Sequence, residues 1–151
     1  MNNHHKGFTL IELLVVIAII GLLSSIVLAS LGTARNKGSD SAVKGAMSQL
    51  RTQAALYIDV NPTYGVATAL NATTCTATST VFASSSAIIT NLRLNAATTP
   101  APACVIGVSG ASWAVTATLK GGGGWCVDDS GNSVASSTSM VLNSVSAVRC
   151  R

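Results

Sequence analysis

The sequence predicts an α+β protein: a long N-terminal α-helix, membrane-spanning in its first half and amphipathic in its second, packed on a small antiparallel β-sheet head. Three observations predict it. From Leu13 to Ala34 no residue is charged and most are apolar. Beyond Gly32 apolar residues recur at three- and four-residue steps, the period of an amphipathic helix. Past Ser112 the pattern changes to alternation, interrupted by glycine and Asp/Asn turn signals, as in paired strands.

The first element, 8–31, is expected to meet a membrane, because about 20 apolar residues at ~1.5 Å rise cross a ~30 Å hydrocarbon core. Its one charge is Glu12. A carboxylate at the bilayer centre costs about 2.5 to 3.5 kcal/mol even on insertion scales, so such residues are usually paired and functional. The second element, 32–60, carries the helix into the head. Val43, Ala46, Met47, Leu50, Ala54, Tyr57 and Ile58 form its apolar stripe, and Arg35, Lys37, Asp40, Lys44 and Arg51 fall mostly between them. One helix from about Phe8 to Asp59 is expected rather than two broken near Gly32, since glycine costs only about 1 kcal/mol in a helix interior. Pro62 supplies the stop: it disfavours helical geometry at Asn61 and has no N–H to donate.

The head, 61–151, is rich in Ala, Ser, Thr, Gly and Val and poor in aromatics, so its core is expected to be small. Asn71 to Ser86 lacks charge and periodicity and reads as a loop with a short helical turn. In "SWAVTATL", Trp113, Val115, Ala117 and Leu119 alternate with Ala114, Thr116 and Thr118, the signature of a half-buried strand. "KGGGG" reads as a flexible hairpin connection. "WCVDDSGNSVAS" then offers a second strand, a turn at Asp129 to Asn132 and the start of a third, for a sheet of three or four strands.

Such short strands rarely hold alone, and four cysteines are available to staple them: Cys75, Cys104, Cys126 and Cys150 all lie downstream of the apolar run. An even count there suits disulfides formed in an oxidising compartment. Zinc is disfavoured by the lack of a CxxC spacing and of any His after His5. Three pairings are open to four cysteines. Closing Cys75 with Cys104 and Cys126 with Cys150 gives two local loops, the second tying the sheet to the C-terminal segment.

The net charge of +4 is scattered. Lys6 precedes the apolar run and Arg149 and Arg151 lie at the far end, so no basic stripe with interleaved aromatics points to a specific nucleic-acid partner. The front end also departs from a secretory signal, whose small-residue cleavage site follows its apolar core. Here the small-residue junction, Gly7 to Phe8, precedes that core. Cleavage there would retain the anchor, with Lys6 on the cytoplasmic side.

On these residues the chain resembles a known family: "KGFTLIELLVVIAIIGLL" is similar to the prepilin signature of type IV pilins and related pseudopilins. The similarity is strong from Lys6 to about Leu31 and looser through Ile58, and Ala29 stands where many pilins carry Pro. The resemblance implies a leader of residues 1–7, removed by a prepilin peptidase cutting after Gly7, and methylation of the new amino terminus on Phe8 by the same peptidase/methyltransferase. It also implies an assembly role for Glu12, whose carboxylate would accept the charged terminus of a neighbouring subunit. That terminus lies four residues before Glu12, on the same helix face.

Chemistry of other kinds finds little support. A nucleophile needs a base, most often His, and none remains after residue 7; no catalytic residue and no cofactor is expected. "GGGG" lacks the Lys and Ser/Thr of a phosphate loop. Asp128, Asp129 and Asn132 could surround calcium, which takes several oxygen ligands, but an Asx-type turn is the stronger reading. Trp113 and Trp125 read as core anchors.

The expected function is therefore structural: a non-enzymatic subunit of a type IV pilus-like extracellular filament, homo-oligomeric through its N-terminal helix. It would be held in membrane lipid as a single-pass protein with the head outside before a pilus assembly platform takes it up. Two alternatives stay open, a pseudopilin of a type II secretion system and a membrane-anchored binding module that never polymerises.

Overall fold

The computed structural model describes residues 7–67, 75, 77–97, 101–136 and 148–150. Leader residues 1–6, with Lys6, and Asn71 to Thr74 of the expected loop lie outside these, as does Arg151. Helix α1, Leu10–Val60, runs for 51 residues without a break at Gly32. The chain divides into two compact units, residues 1–35 and 36–151.

In the first unit every large apolar side chain from Phe8 to Leu31 is exposed, by 47% to 81%. An 18-residue window of α1 reaches a mean hydropathy of 2.8 with none of it buried, so the helix is long and apolar enough to cross a membrane. No described residue of this unit covers it.

In the second unit α1 buries one stripe: Val43, Met47, Leu50 and Ala54 are at most 1% exposed, at the spacing the periodicity predicts. The helix ends at Val60, two residues before Pro62. There the backbone and side-chain amides of Asn61 both donate to the Tyr57 carbonyl, at 3.0 and 2.9 Å, satisfying a carbonyl left over at the helix end. Two short helices follow. α2, Val81–Ser84, starts at Thr80, whose hydroxyl accepts from the Ala83 N–H, and it lies within the expected loop. α3, Ser86–Asn95, buries Ile89 and Leu92 and adds a helix to the expected elements.

The sheet is a four-stranded antiparallel meander, β1 Ala103–Ile106, β2 Trp113–Thr118, β3 Gly124–Asp128 and β4 Ser133–Ser136, in that spatial order. Its side chains alternate between two apolar clusters. Cys104, Ile106, Trp113, Val115, Ala117 and Val127 join the α1 stripe, Phe82, Ile89 and Leu92 in the main core. Val105, Ala114 and Cys126 join Val148 and Cys150 in a second cluster, with Val134 at its edge. The expected half-buried strand holds from Val115 to Thr118, where Thr116 and Thr118 stay partly exposed, while Ala114 at its start, on the same face as the threonines, is fully buried.

The glycine hairpin is also more firmly held than a flexible connection would be. Leu119 N–H donates to the Gly123 carbonyl at 2.9 Å and Gly122 N–H to the Leu119 carbonyl at 3.1 Å, while Gly122 and Gly123 take φ of 103° and 76°, a region open to glycine at no steric cost. The N–H groups of Lys120 and Gly121 then donate to the carboxylate of Asp40 on α1, at 2.8 and 3.1 Å. One turn on, Lys44 Nζ sits 4.5 Å from the centre of the Trp125 ring, a cation–π distance. Polar residues between the apolar positions of α1 thus fasten the helix to the β2–β3 hairpin.

Candidate functional site

Two acidic centres stand out, one in each unit. The first is the start of α1. Thr9 is its N-cap and Glu12 its third residue, and the two exchange hydrogen bonds: the Glu12 N–H donates to the Thr9 hydroxyl oxygen at 3.3 Å, and the Thr9 N–H donates to Glu12 Oε2 at 2.9 Å. The Thr9 hydroxyl also donates to Oε2, at 2.7 Å. This is a capping box, which satisfies two otherwise orphaned amides reciprocally. The T-x-x-E spacing of "TLIE" carries that signal in the sequence, ahead of an apolar run.

The capping box changes how Glu12 relates to the cleavage junction. Phe8 lies outside the helix, so the two residues do not share a helix face. Instead the cap turns the Glu12 carboxylate back toward Thr9, the residue next to Phe8. Gly7 and Phe8 are both exposed, and a side chain on Gly7 would meet nothing within 4 Å.

The second centre lies where β3 meets the C-terminal segment. Asp128 is fully buried, and its carboxylate accepts five hydrogen bonds. Oδ1 takes the Ser130 N–H, the Ser130 hydroxyl and the Asn132 N–H at 3.0, 2.7 and 3.0 Å; Oδ2 takes the Asn132 side-chain amide at 3.0 Å and the Cys150 N–H at 2.9 Å. Burial pushes the Asp128 carboxyl up, but these donors together outweigh it and hold the group below the usual carboxylate range. Asp129 is half-buried and behaves oppositely. Burial raises it above the usual range against the pull of Arg149. Asp128 and Asn132, read from sequence as turn or calcium ligands, are thus joined to each other and to Cys150 by protein donors that occupy both Asp128 oxygens. Among the described residues no group of three or more His, Cys, Asp or Glu is placed to hold a metal.

Disulfides join Cys75 to Cys104, with Cα atoms 5.0 Å apart, and Cys126 to Cys150, 5.7 Å apart. The first lies in the main core and the second in the cluster on the opposite face of the sheet. Each closes a loop of a size that contributes about 3 to 4 kcal/mol, largely through the unfolded chain. Non-reducing peptide mapping of the extracellular protein is expected to return these two pairs and no free thiol. Bound zinc or four free thiols would contradict it.

The chain thus combines an exposed helix long and apolar enough to cross a membrane, with one capped acid near its start, and an α+β head stapled on both sheet faces. Residues 2–28 match the family model described as the prokaryotic N-terminal methylation motif, the class III signal peptide of type IV pilins. No curated protein and no solved structure matches the chain. The motif is the one that type IV pilins and pseudopilins carry; it points to a structural role rather than an enzymatic one, and it implies processing by a prepilin peptidase, with membrane anchoring before assembly into a filament.

Proposed function

We propose that the chain is the pilin of a type IV pilus-like extracellular filament. The supporting observation is that every large apolar side chain from Phe8 to Leu31 is exposed, on a stretch that begins within the methylation motif and contains a single carboxylate. Before assembly, this helix spans the cytoplasmic membrane with the head outside; after cleavage behind Gly7 and methylation of Phe8, the assembly platform moves it into a bundle of like helices. The type II secretion pseudopilin is the second reading. Calcium binding at Asp128, Asp129 and Asn132 would favour that reading, and against it stands the Asp128 carboxylate, whose oxygens already take five protein donors. The deciding experiment is intact mass and N-terminal sequencing of protein sheared from cells. Long surface filaments built of chains that begin at methylated Phe8 support the proposal, and a membrane-retained protein with no surface filament contradicts it.

Processing gives a sharper test. Gly7 offers a protease no side chain to accommodate, so Gly7→Val is expected to leave a full-length precursor in the membrane, seen as a slower band on an immunoblot. A product of normal size would refute the cleavage site.

A further inference from the structure

The charges at the two ends of the apolar stretch run against the usual order. Lys and Arg beside a membrane span gather on its cytoplasmic side. Here that side has Lys6 alone, which the proposed cleavage removes, while Arg35 and Lys37 stand just past Leu31, on the side of the head. Both are exposed, and among the described residues neither makes a hydrogen bond or an ion pair. Their stretch of α1 is bare as well: every residue from Leu31 to Gly38 is exposed, and a Cβ on Gly32 or Gly38 would meet nothing within 4 Å.

Depth along the helix selects the partner. At ~1.5 Å rise per residue, Arg35 lies about 6 Å and Lys37 about 9 Å beyond Leu31, and the headgroup layer on each side of a ~30 Å hydrocarbon core is about 5 to 8 Å thick. Long basic side chains reach back along such a surface. Being two residues apart in the chain, both stay at this layer whatever the direction of the head. Phosphate oxygens are the acceptors there. Rival acceptors are few. Of the five Asp and Glu residues, Glu12 closes the capping box, Asp40 holds the β2–β3 hairpin, Asp128 takes five protein donors and Asp129 interacts with Arg149. A second copy thus offers these two cations only Asp59, whereas an anionic lipid surface offers charge at every headgroup. We infer, resting on the membrane-spanning reading above, that Arg35 and Lys37 bind the phosphates of anionic lipids at the outer face of the cytoplasmic membrane and hold the stored subunit at a fixed depth until assembly draws it out.

The experiment uses the full-length ¹⁵N-labelled chain, one copy per lipid nanodisc, so it does not depend on filament assembly. The Arg35 side-chain Nε–H signal, identified by its loss in Arg35→Gln, is followed as phosphatidylglycerol replaces phosphatidylcholine. A saturable shift is expected, reversed by high salt as suits a contact between exposed charges. Lys37→Gln is expected to raise the phosphatidylglycerol fraction at half effect about fivefold, the share of one basic residue at an anionic surface. Inorganic phosphate added to pure phosphatidylcholine discs is expected to leave the signal in place, and unmoved indole signals of Trp113 and Trp125 report that the head is unchanged. The proposal is overturned by an Arg35 signal that phosphatidylglycerol does not move, by an equal shift with inorganic phosphate, or by an unchanged half-effect fraction in Lys37→Gln. A shift that needs two copies in one disc and is lost in Asp59→Asn overturns it in favour of a contact between subunits. Chain recovered free of the discs overturns the membrane-spanning reading itself, and the proposal with it.

Discussion

Glu12→Ala is expected to be made, inserted and cleaved in normal amount, yet to be missing from filaments. In the stored monomer the carboxylate sits near the start of the span, where it can reach the headgroup region. In a packed bundle of helices that escape is closed, and a cation has to meet it. On the proposed processing, cleavage behind Gly7 would create one, the Phe8 amino group, which stays charged when methylated. Removing Glu12 leaves its partner's terminal charge buried and unpaired, a loss of several kcal/mol per contact. The capping box found in the structure permits a cleaner separation of causes. Glu12→Gln keeps a side chain that can close the box but has no charge, whereas Thr9→Val breaks the box and keeps the carboxylate. If charge pairing governs docking, Glu12→Gln fails like Glu12→Ala and Thr9→Val still assembles. Cells are sheared and membrane and filament fractions compared by immunoblot. Abundant Glu12→Ala protein in filaments of normal length would remove Glu12 from assembly.

Asp128→Ala is expected to be the most damaging single truncation of a polar group in the head, by about 3 kcal/mol or more. Hydrogen bonds to a charged group contribute about 1.5 to 3 kcal/mol each, and a buried donor left unpaired costs a further 1 to 3 kcal/mol. Here the Cys150 and Asn132 amides lose their acceptor together. Urea unfolding followed by tryptophan fluorescence should show a lower midpoint at unchanged slope. A shift equivalent to less than about 0.5 kcal/mol, the range of an ordinary surface change, would mean that the network is not needed.

The same centre sets an acid response. Asp128 has its folded value depressed, so its contribution is full above the unfolded value of about 3.9 and is lost as pH falls through the lower folded value. Asp129 has its folded value raised. It costs stability above that raised value, and the cost disappears as pH falls through it toward the unfolded value. Wild-type protein should therefore hold or gain stability on mild acidification and lose it only below about pH 4. Asp128→Ala should lack that final loss.

The legible parts of the fold are those written in local patterns. Pro62 marks the end of α1, the alternation from Trp113 to Leu119 gives β2, and the glycine run gives the hairpin. Helix α3 is harder to see because only Ile89 and Leu92 within it are fully buried, too few to set up a period. Strand β1 reads "ACVI", with Cys104, Val105 and Ile106 all buried. A strand covered on both faces does not alternate, and a short continuous apolar run cannot be told from a piece of buried helix. That double coverage comes from Val148 and Cys150, far along the chain. The site divides the same way. The motif around Gly7, Phe8 and Glu12 is local and fully written in the sequence. Four of the five donors to Asp128 come from Ser130 and Asn132, in the turn the sequence does show; the fifth is a backbone amide 22 positions away, and no local pattern announces a contact of that range. Asp40 and Lys44 look like solvated charges between apolar positions, and only the folded hairpin shows what they hold.

The placement of the two disulfides, one on each face of the sheet, bears on how an exposed subunit meets proteases. Cys75–Cys104 encloses the segment with α2 and α3, and Cys126–Cys150 encloses the segment with β4. A single cut anywhere inside either loop gives two new chain ends but no released fragment, because both pieces remain covalently attached to the sheet. With β1 and β3 each pinned by a cysteine to a different apolar cluster, a nicked head stays one covalent unit, and the damage shows on a gel only after reduction.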